Sequence, residues 1–319
     1  MTKSRRVKVG GVHLNILEEG KGPLVILLHG FPDFSYSWRF LLPSLAAEGF
    51  HVIAPDQRGY GLSDRPSSVE DYAITQLVDD VASLMNCIGE RKAILVGHDW
   101  GAVVAWHMAM LHSDRVVGVA AISVPFVGLG GAPPLAVARS VFGDRFYQIY
   151  LQEVGLAESE LEADPIETFA RFMYGLSGDA PEMSSLVVPP GQGLLDLFPR
   201  MDRLPMWLTS GDIATYARAF SCTGFSAPLN WYRNLDRNWE IARSWPTKTV
   251  NSPAAVLVGD RDPVVGFYKL NQLESLMRKH VPNLAMLEVF ESAGHWLQHE
   301  RPTDVHRAVV KFIRGIGSS

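Results

Sequence analysis

Asp99 stands at the centre of Gly97-His98-Asp99-Trp100-Gly101, between an apolar run of strand length (residues 93–96) and an apolar, helix-like stretch from Ala102 to Leu111. A side chain in the middle of small-x-nucleophile-x-small is held on a strained strand-to-helix turn that only small flanking residues allow. A serine there would need a base to activate it, whereas a carboxylate is already charged at pH 7. Asp99 is therefore suited to attack a carbon by displacement and to carry the product as an alkyl ester. The simpler alternative makes it a helix N-cap.

Two further stretches weigh against that alternative. Gly259-Asp260-Arg261-Asp262-Pro263 follows the apolar run 254–258, and Glu291-Ser292-Ala293-Gly294-His295-Trp296 follows the run 284–290. The acids and the histidine thus fall just past the C-terminal ends of strands, where open parallel sheets build their sites. The chain order is nucleophile, acid, histidine. His295 is the expected general base. Asp262 is the expected carboxylate that fixes its tautomer, and Asp260, two residues earlier, is better suited to a turn.

The elements that must position these groups alternate along the chain. Residues 12–17 alternate like an edge strand, and Leu24-Val25-Ile26-Leu27-Leu28 suits a strand buried on both faces. A helical stretch ending near Glu48-Gly49 leads to a strand at 50–54. Leu77, Val81, Leu84, Met85 and Ile88 form the stripe of an amphipathic helix. Strands at 93–96 and 116–124 continue a rhythm that predicts a doubly wound, mostly parallel sheet. After Pro125 the rhythm stops. Residues 126–245 hold helical segments, Gly-Pro punctuation and scattered aromatics, with no convincing buried strand. Within them, Glu158-Ser159-Glu160-Leu161-Glu162 suggests a solvated helix face. The α/β rhythm returns with a strand at 254–258, a helix over 266–279, a strand at 284–290, and a last helix carrying Val305, Val309, Phe312, Ile313 and Ile316 on one stripe, with Pro302 in its first turn.

Bulk properties exclude several classes. At 319 residues, with 47% apolar residues and a net charge of -5, the chain can bury a sizeable core and has no basic surplus for nucleic acid. Only Cys87 and Cys222 are present, which fits a reducing, cytoplasmic compartment rather than a disulfide framework. The N-terminal basic residues precede no apolar run of signal or membrane-spanning length, so no membrane partner is expected.

Together with His29-Gly30-Phe31-Pro32, the three catalytic stretches resemble the α/β-hydrolases of the soluble epoxide hydrolase family, over about residues 7–315. The resemblance implies an α/β-hydrolase core (residues 1–125 and 246–319) with an inserted helical cap (126–245). In that family the cap supplies two tyrosines, in Tyr-Gln-x-Tyr and Asn-Trp-Tyr-Arg-Asn contexts. Tyr147-Gln148-Ile149-Tyr150 and Asn230-Trp231-Tyr232-Arg233-Asn234 match them, which implies Tyr147 and Tyr232 as an acid pair and Tyr150 as packing. Opening an epoxide puts negative charge on an alkoxide-like oxygen, and phenols that titrate near pH 10 remain protonated to receive it.

The implied reaction has two steps. Asp99 opens the ring while Tyr147 and Tyr232 hold the oxygen; His295, oriented by Asp262, then activates water to release a vicinal diol. Backbone N–H groups of Phe31 and Trp100 are candidates for the oxyanion hole. The side chains of Phe31, Trp38, Trp100 and Gln148 are candidate pocket walls. A small epoxide and water are the expected partners, with no cofactor, and the chain as monomer or homodimer.

Alternatives stay open at this stage. Haloalkane dehalogenases share the aspartate and the following tryptophan, but where Phe31 stands they commonly have an asparagine that binds halide. A non-catalytic small-molecule binder on the same scaffold would tolerate loss of one catalytic residue, and none is missing. His295 and His299, four apart with Glu300 adjacent, have a spacing that a helix could turn into two metal ligands. No His-Glu-x-x-His occurs, and Pro302 places the helix start after them, so no metal is expected. His98, Asp56 and Arg58 are expected to brace loops rather than react.

Overall fold

A computed structural model describes residues 1–183, 185–245 and 248–316. Its centre is an eight-stranded sheet made of β1 (Lys3–Val9), β2 (Val12–Gly20), β3 (Leu24–Leu28), β4 (His51–Pro55), β5 (Ala93–His98), β6 (Val116–Ile122), β7 (Ala254–Gly259) and β8 (Leu284–Phe290). The strand order is β1-β2-β4-β3-β5-β6-β7-β8. The β1–β2 and β2–β4 pairs are antiparallel, and all pairs from β4 through β8 are parallel.

The uninterrupted apolar runs follow from burial on both faces. In β3, Leu24, Ile26 and Leu28 join one core, while Val25 and Leu27 join the other. The same alternation runs through β6 and β7. Helices α1 (Leu41–Ala47) and α13 (Pro302–Ile316) cover one face; α2 (Ile74–Ile88) and α3 (Trp100–Leu111) cover the other. The α2 stripe is apolar on its buried side, and Gly89, at φ 86°, ends that helix in the left-handed region that glycine adopts without strain.

Helices α4 (Pro134–Phe142), α5 (Tyr147–Tyr150), α6 (Leu156–Leu161), α7 (Pro165–Gly175), α8 (Ser210–Thr223), α9 (Ser226–Arg233) and α10 (Leu235–Arg243) lie between β6 and β7. Their aromatics extend the core on the α2–α3 face: Phe169, Phe172, Tyr216, Phe220, Phe225 and Trp231 all belong to it. The expected junction at residue 246 lies outside the described residues, as do residues 317–319 of the expected core. After β7 come α11 (Leu270–Arg278) and, beyond β8, α12 (Leu297–Glu300).

Three details differ from the sequence expectations. Strand β2 is not the sheet edge, because β1 pairs with it and takes that place. Residues Lys3 to Arg6 are exposed and charged or polar, so β1 lacks apolar alternation over most of its length, as suits an edge protected from pairing with another chain. The helix expected from residue 266 begins at Leu270, after a short 3-10 turn at Val265–Phe267. The acidic run 158–162 is not a solvated face: Glu158 pairs with Arg233 at 2.8 Å, Glu160 accepts the N–H groups of Leu194 and Leu195, and Glu162 accepts that of Phe225. These carboxylates tie the helical segments to one another.

Candidate active site

At the end of β5 the chain turns sharply. Asp99 has φ 50° and ψ -120°, and α3 begins at the next residue. The turn is possible because its neighbours lack side chains. A Cβ on Gly97 would lie 2.3 Å from the Gly101 carbonyl oxygen, and one on Gly101 would lie 2.0 Å from that of Leu28. The Asp99 carboxylate makes no capping bond to α3. Instead Oδ1 accepts the Phe31 N–H at 2.9 Å, and the Trp100 N–H also bonds to the carboxyl group. Burial pushes this carboxyl above its ordinary range, and His295 together with the two N–H groups pulls the other way. The net rise leaves a more basic carboxylate than that of a solvated aspartate.

His295 and Asp262 are both buried beside it, on the loops that leave β8 and β7. The Nδ1 of His295 is 3.2 and 3.3 Å from the two Asp262 oxygens. Burial alone would depress this imidazole; the Asp262 carboxylate, helped by Asp99 and Glu300, holds it above its ordinary value. Asp260 is exposed, whereas Asp262 is buried. The backbone of the His295 loop is fixed by three groups. His295 donates its N–H to the Leu176 carbonyl at 2.8 Å, His98 donates Nε2–H to the His295 carbonyl at 2.8 Å, and Glu300 accepts the N–H groups of Gly294 and Trp296. Glu300 also accepts the N–H of Gly178, joining the helical segment to the histidine loop.

Sequence reasoning missed Ser123, just after β6. Its hydroxyl donates to Asp262 Oδ2 at 2.5 Å and lies 2.9 Å from His295 Nδ1. The expected strand ran through residue 124 and hid it; β6 ends at Ile122, which leaves Ser123 at the strand end.

Tyr147 opens α5, and Tyr232 lies within α9. Their rings are 6.3 Å apart at 76°, and both line the two cavities that also contain Asp99. Burial, with the nearby Asp99 charge, raises both phenols above their ordinary range, so both stay protonated. Gln148 donates to the Tyr147 hydroxyl at 3.0 Å, while the Tyr150 hydroxyl turns to Glu160 at 2.8 Å, away from the cavities. The rings of Phe31 and Trp100 meet Tyr232 edge-on at 5.2 and 5.3 Å.

The larger cavity, of about 320 Å³, runs from Asp99 past Val103, Gln148 and Trp239; the smaller, of about 50 Å³, runs past Phe31, Phe172 and Leu197. Trp38 lines neither. It sits in a helical turn beneath the opposite face of the sheet, packed with Val25, Leu27 and Leu41, so the expected pocket role is corrected to a core role.

The histidine pair considered for metal splits between two sets of partners. His295 faces Asp262, whereas His299 accepts from Arg39 at 2.9 Å and approaches Asp33 at 3.6 Å. Asp56 and Arg58 do brace loops: Asp56 accepts the Ser35 and Leu62 N–H groups, and Arg58 forks onto Asp80 with two bonds of 2.6 Å.

Comparison with known proteins places the fold and the family. The model of the alpha/beta hydrolase fold matches residues 23–302. The chain is 42% identical to Epoxide hydrolase A of Mycobacterium tuberculosis, over 98% of this chain and 97% of that one. Among solved structures, Epoxide Hydrolase A from Mycobacterium thermoresistibile superposes with a TM-score of 0.92 at 41% identity, covering 99% of each chain. An epoxide hydrolase from an endophytic Streptomyces gives 0.95 at 36% identity, covering 100% of this chain and 97% of that one. The chain belongs to the α/β-hydrolase family and, within it, to the epoxide hydrolases.

Proposed function

We propose that this epoxide hydrolase works through a covalent ester on Asp99. The observation that carries the reading is one carboxylate, anchored through one oxygen by backbone N–H, facing two buried protonated phenols across a shared cavity. The free oxygen of Asp99 attacks an epoxide carbon and breaks its C–O bond. Tyr147 and Tyr232 donate to the departing oxygen, which takes a proton and becomes a hydroxyl; a positioned acid of this kind contributes about 10²–10⁴-fold.

In the second step His295 Nε2 removes a proton from water, and the water oxygen attacks the ester carbonyl carbon. The Phe31 and Trp100 N–H groups, which already hold the resting carboxylate, receive the developing oxyanion. The acyl C–O bond then breaks, the diol leaves with a proton from His295, and the proton left on the Asp99 carboxyl passes through solvent to the phenolate that gave one up, which restores both Asp99 and the acid pair. Asp262 fixes the imidazole throughout.

The segment 126–245 acts as the lid that brings the phenols over the nucleophile. Phe31, Trp100 and Gln148 form part of its pocket. A cytoplasmic setting is supported by the two cysteines, both free and exposed; no helix among the described residues is long and apolar enough to cross a membrane.

The test is to incubate the protein separately with styrene oxide and with 1-bromobutane and to assay diol and bromide. Diol without bromide is the expected result. Bromide release at a comparable rate would contradict the assignment of the phenols as acids for a departing oxygen.

A further inference from the structure

Three non-glycine residues among those described have positive φ: Asp99 at 50°, Ser123 at 74° and Ser292 at 54°. All three lie at the C-terminal edge of the sheet, around His295. Asp99 is the nucleophile, and Ser292 is in the histidine loop. Ser123 has no place in the two-step scheme.

Its backbone explains the angle. The Val124 N–H bonds to the Ile122 carbonyl at 3.0 Å, closing a three-residue turn with Ser123 at its centre, while the Ser123 N–H still bonds to the Leu257 carbonyl at 2.9 Å in register with β7. A three-residue turn with positive φ at its centre is the rare, strained form, and glycine fits it best. Strain of this sort, found beside a reacting centre, is the observation from which a role is inferred. What the strain achieves here is visible in the contacts. The turn swings the fully buried hydroxyl between the acid and the base, where it donates to Asp262 and accepts from His295 Nδ1. The direct His295–Asp262 separations of 3.2 and 3.3 Å are longer than a charge-assisted bond of about 2.7–2.9 Å. The serine spans that gap.

We propose that Ser123 is a positioning residue for the general base: it relays the hold of Asp262 onto His295 Nδ1 and so aligns Nε2 for the water that hydrolyses the Asp99 ester. The inference rests on the proposed two-step reading. Asp99 acts before His295 is needed, so Ser123 serves the second step alone.

The groups that face the His295 ring are Asp262, Asp99, Glu300 and the ring of His98, 4.6 Å away. Each remains when only the hydroxyl is removed. Two variants remove it in different ways. Ser123→Gly relaxes the backbone, and Ser123→Ala keeps the β-carbon, which leaves less room for a replacement water.

Each is mixed with a stoichiometric amount of styrene oxide and quenched over time. Intact mass follows formation and decay of the ester, and thermal melting is measured alongside. The expected result is ester formation within about twofold of the parent and ester hydrolysis slowed about 10–100-fold, the range of a hydrogen bond to a charged group. The Gly variant should melt at or above the parent temperature. The acid limb of the hydrolysis rate should move to lower pH, because the imidazolium loses an acceptor at Nδ1.

Parent-like hydrolysis with an unmoved limb in either variant would overturn the proposal. So would an equal loss of both steps, which marks a structural role. If the parent and the His295→Gln variant both form no ester, the two-step reading itself fails, an outcome separate from failure of the serine.

Discussion

The sheet edge and the helical segment above it contribute to this site in opposite ways. From the sheet come groups whose charge matters: Asp99, His295 and Asp262, each on a strand-end loop and each pinned by backbone or by a neighbouring ion. From the helices come groups whose value lies in staying neutral, the phenols of Tyr147 and Tyr232, buried next to a carboxylate that makes ionisation harder. A strand-end loop can hold a charge because backbone N–H groups converge there. A helical segment packed with aromatic rings is a poor place for a charge and a good place for an acid that must keep its proton at neutral pH.

The largest effects should come from removing the charged side. Asp99→Ala should lower diol formation by about 10⁴-fold or more, the scale of losing a covalent nucleophile, without loss of fold by circular dichroism. His295→Gln should stop turnover after one event and leave the substrate mass on the protein. Retained turnover in either variant would break the division between the two regions.

The phenols come next. Replacing both Tyr147 and Tyr232 with Phe should slow ester formation by about 10²–10⁴-fold, and each single replacement should do less because the other donor remains. Tyr150→Phe is the matched control. Its hydroxyl bonds to Glu160 outside the cavities, so kcat/KM should stay within about twofold.

A pH profile sharpens the comparison on the charged side. His295 works as a base only when neutral, and its pKa is held above the ordinary value. The hydrolysis step should therefore fall as pH drops through a limb set by this imidazole, which the Asp262 carboxylate holds up. In Asp262→Asn the carboxylate that raises the imidazole is gone, burial dominates, and the limb should move to lower pH. An unmoved limb would contradict the assignment of Asp262. The phenol variants should leave that limb in place.

How far these features were legible in the sequence follows the same division. The strand-end groups announce themselves, because an apolar run broken by Gly-x-Asp-x-Gly or followed by Asp-Arg-Asp-Pro is a local pattern. The burial alternation of β3, β5, β6 and β7 is local too. Tyr147 and Tyr232 carry no such mark; only the resemblance singled them out from Tyr150, since which way a ring on a short helix faces depends on packing from distant segments. Trp38 failed for that reason, turned under the sheet by a single helical turn. Strand β1 was hidden by its charges, and the acidic run 158–162 by partners 34 to 75 residues away. Ser123 was beyond reach because its role comes from a turn angle, which Ile122-Ser123-Val124-Pro125 does not encode as a motif.

The central claim is that an Asp99 oxygen, not a water oxygen, opens the ring. A single turnover in ¹⁸O-water, with enzyme in excess over epoxide, tests it directly. With Asp99 as the attacking group, the first-turnover diol carries no ¹⁸O while the peptide containing Asp99 gains it. A labelled diol with an unlabelled Asp99 peptide would contradict it.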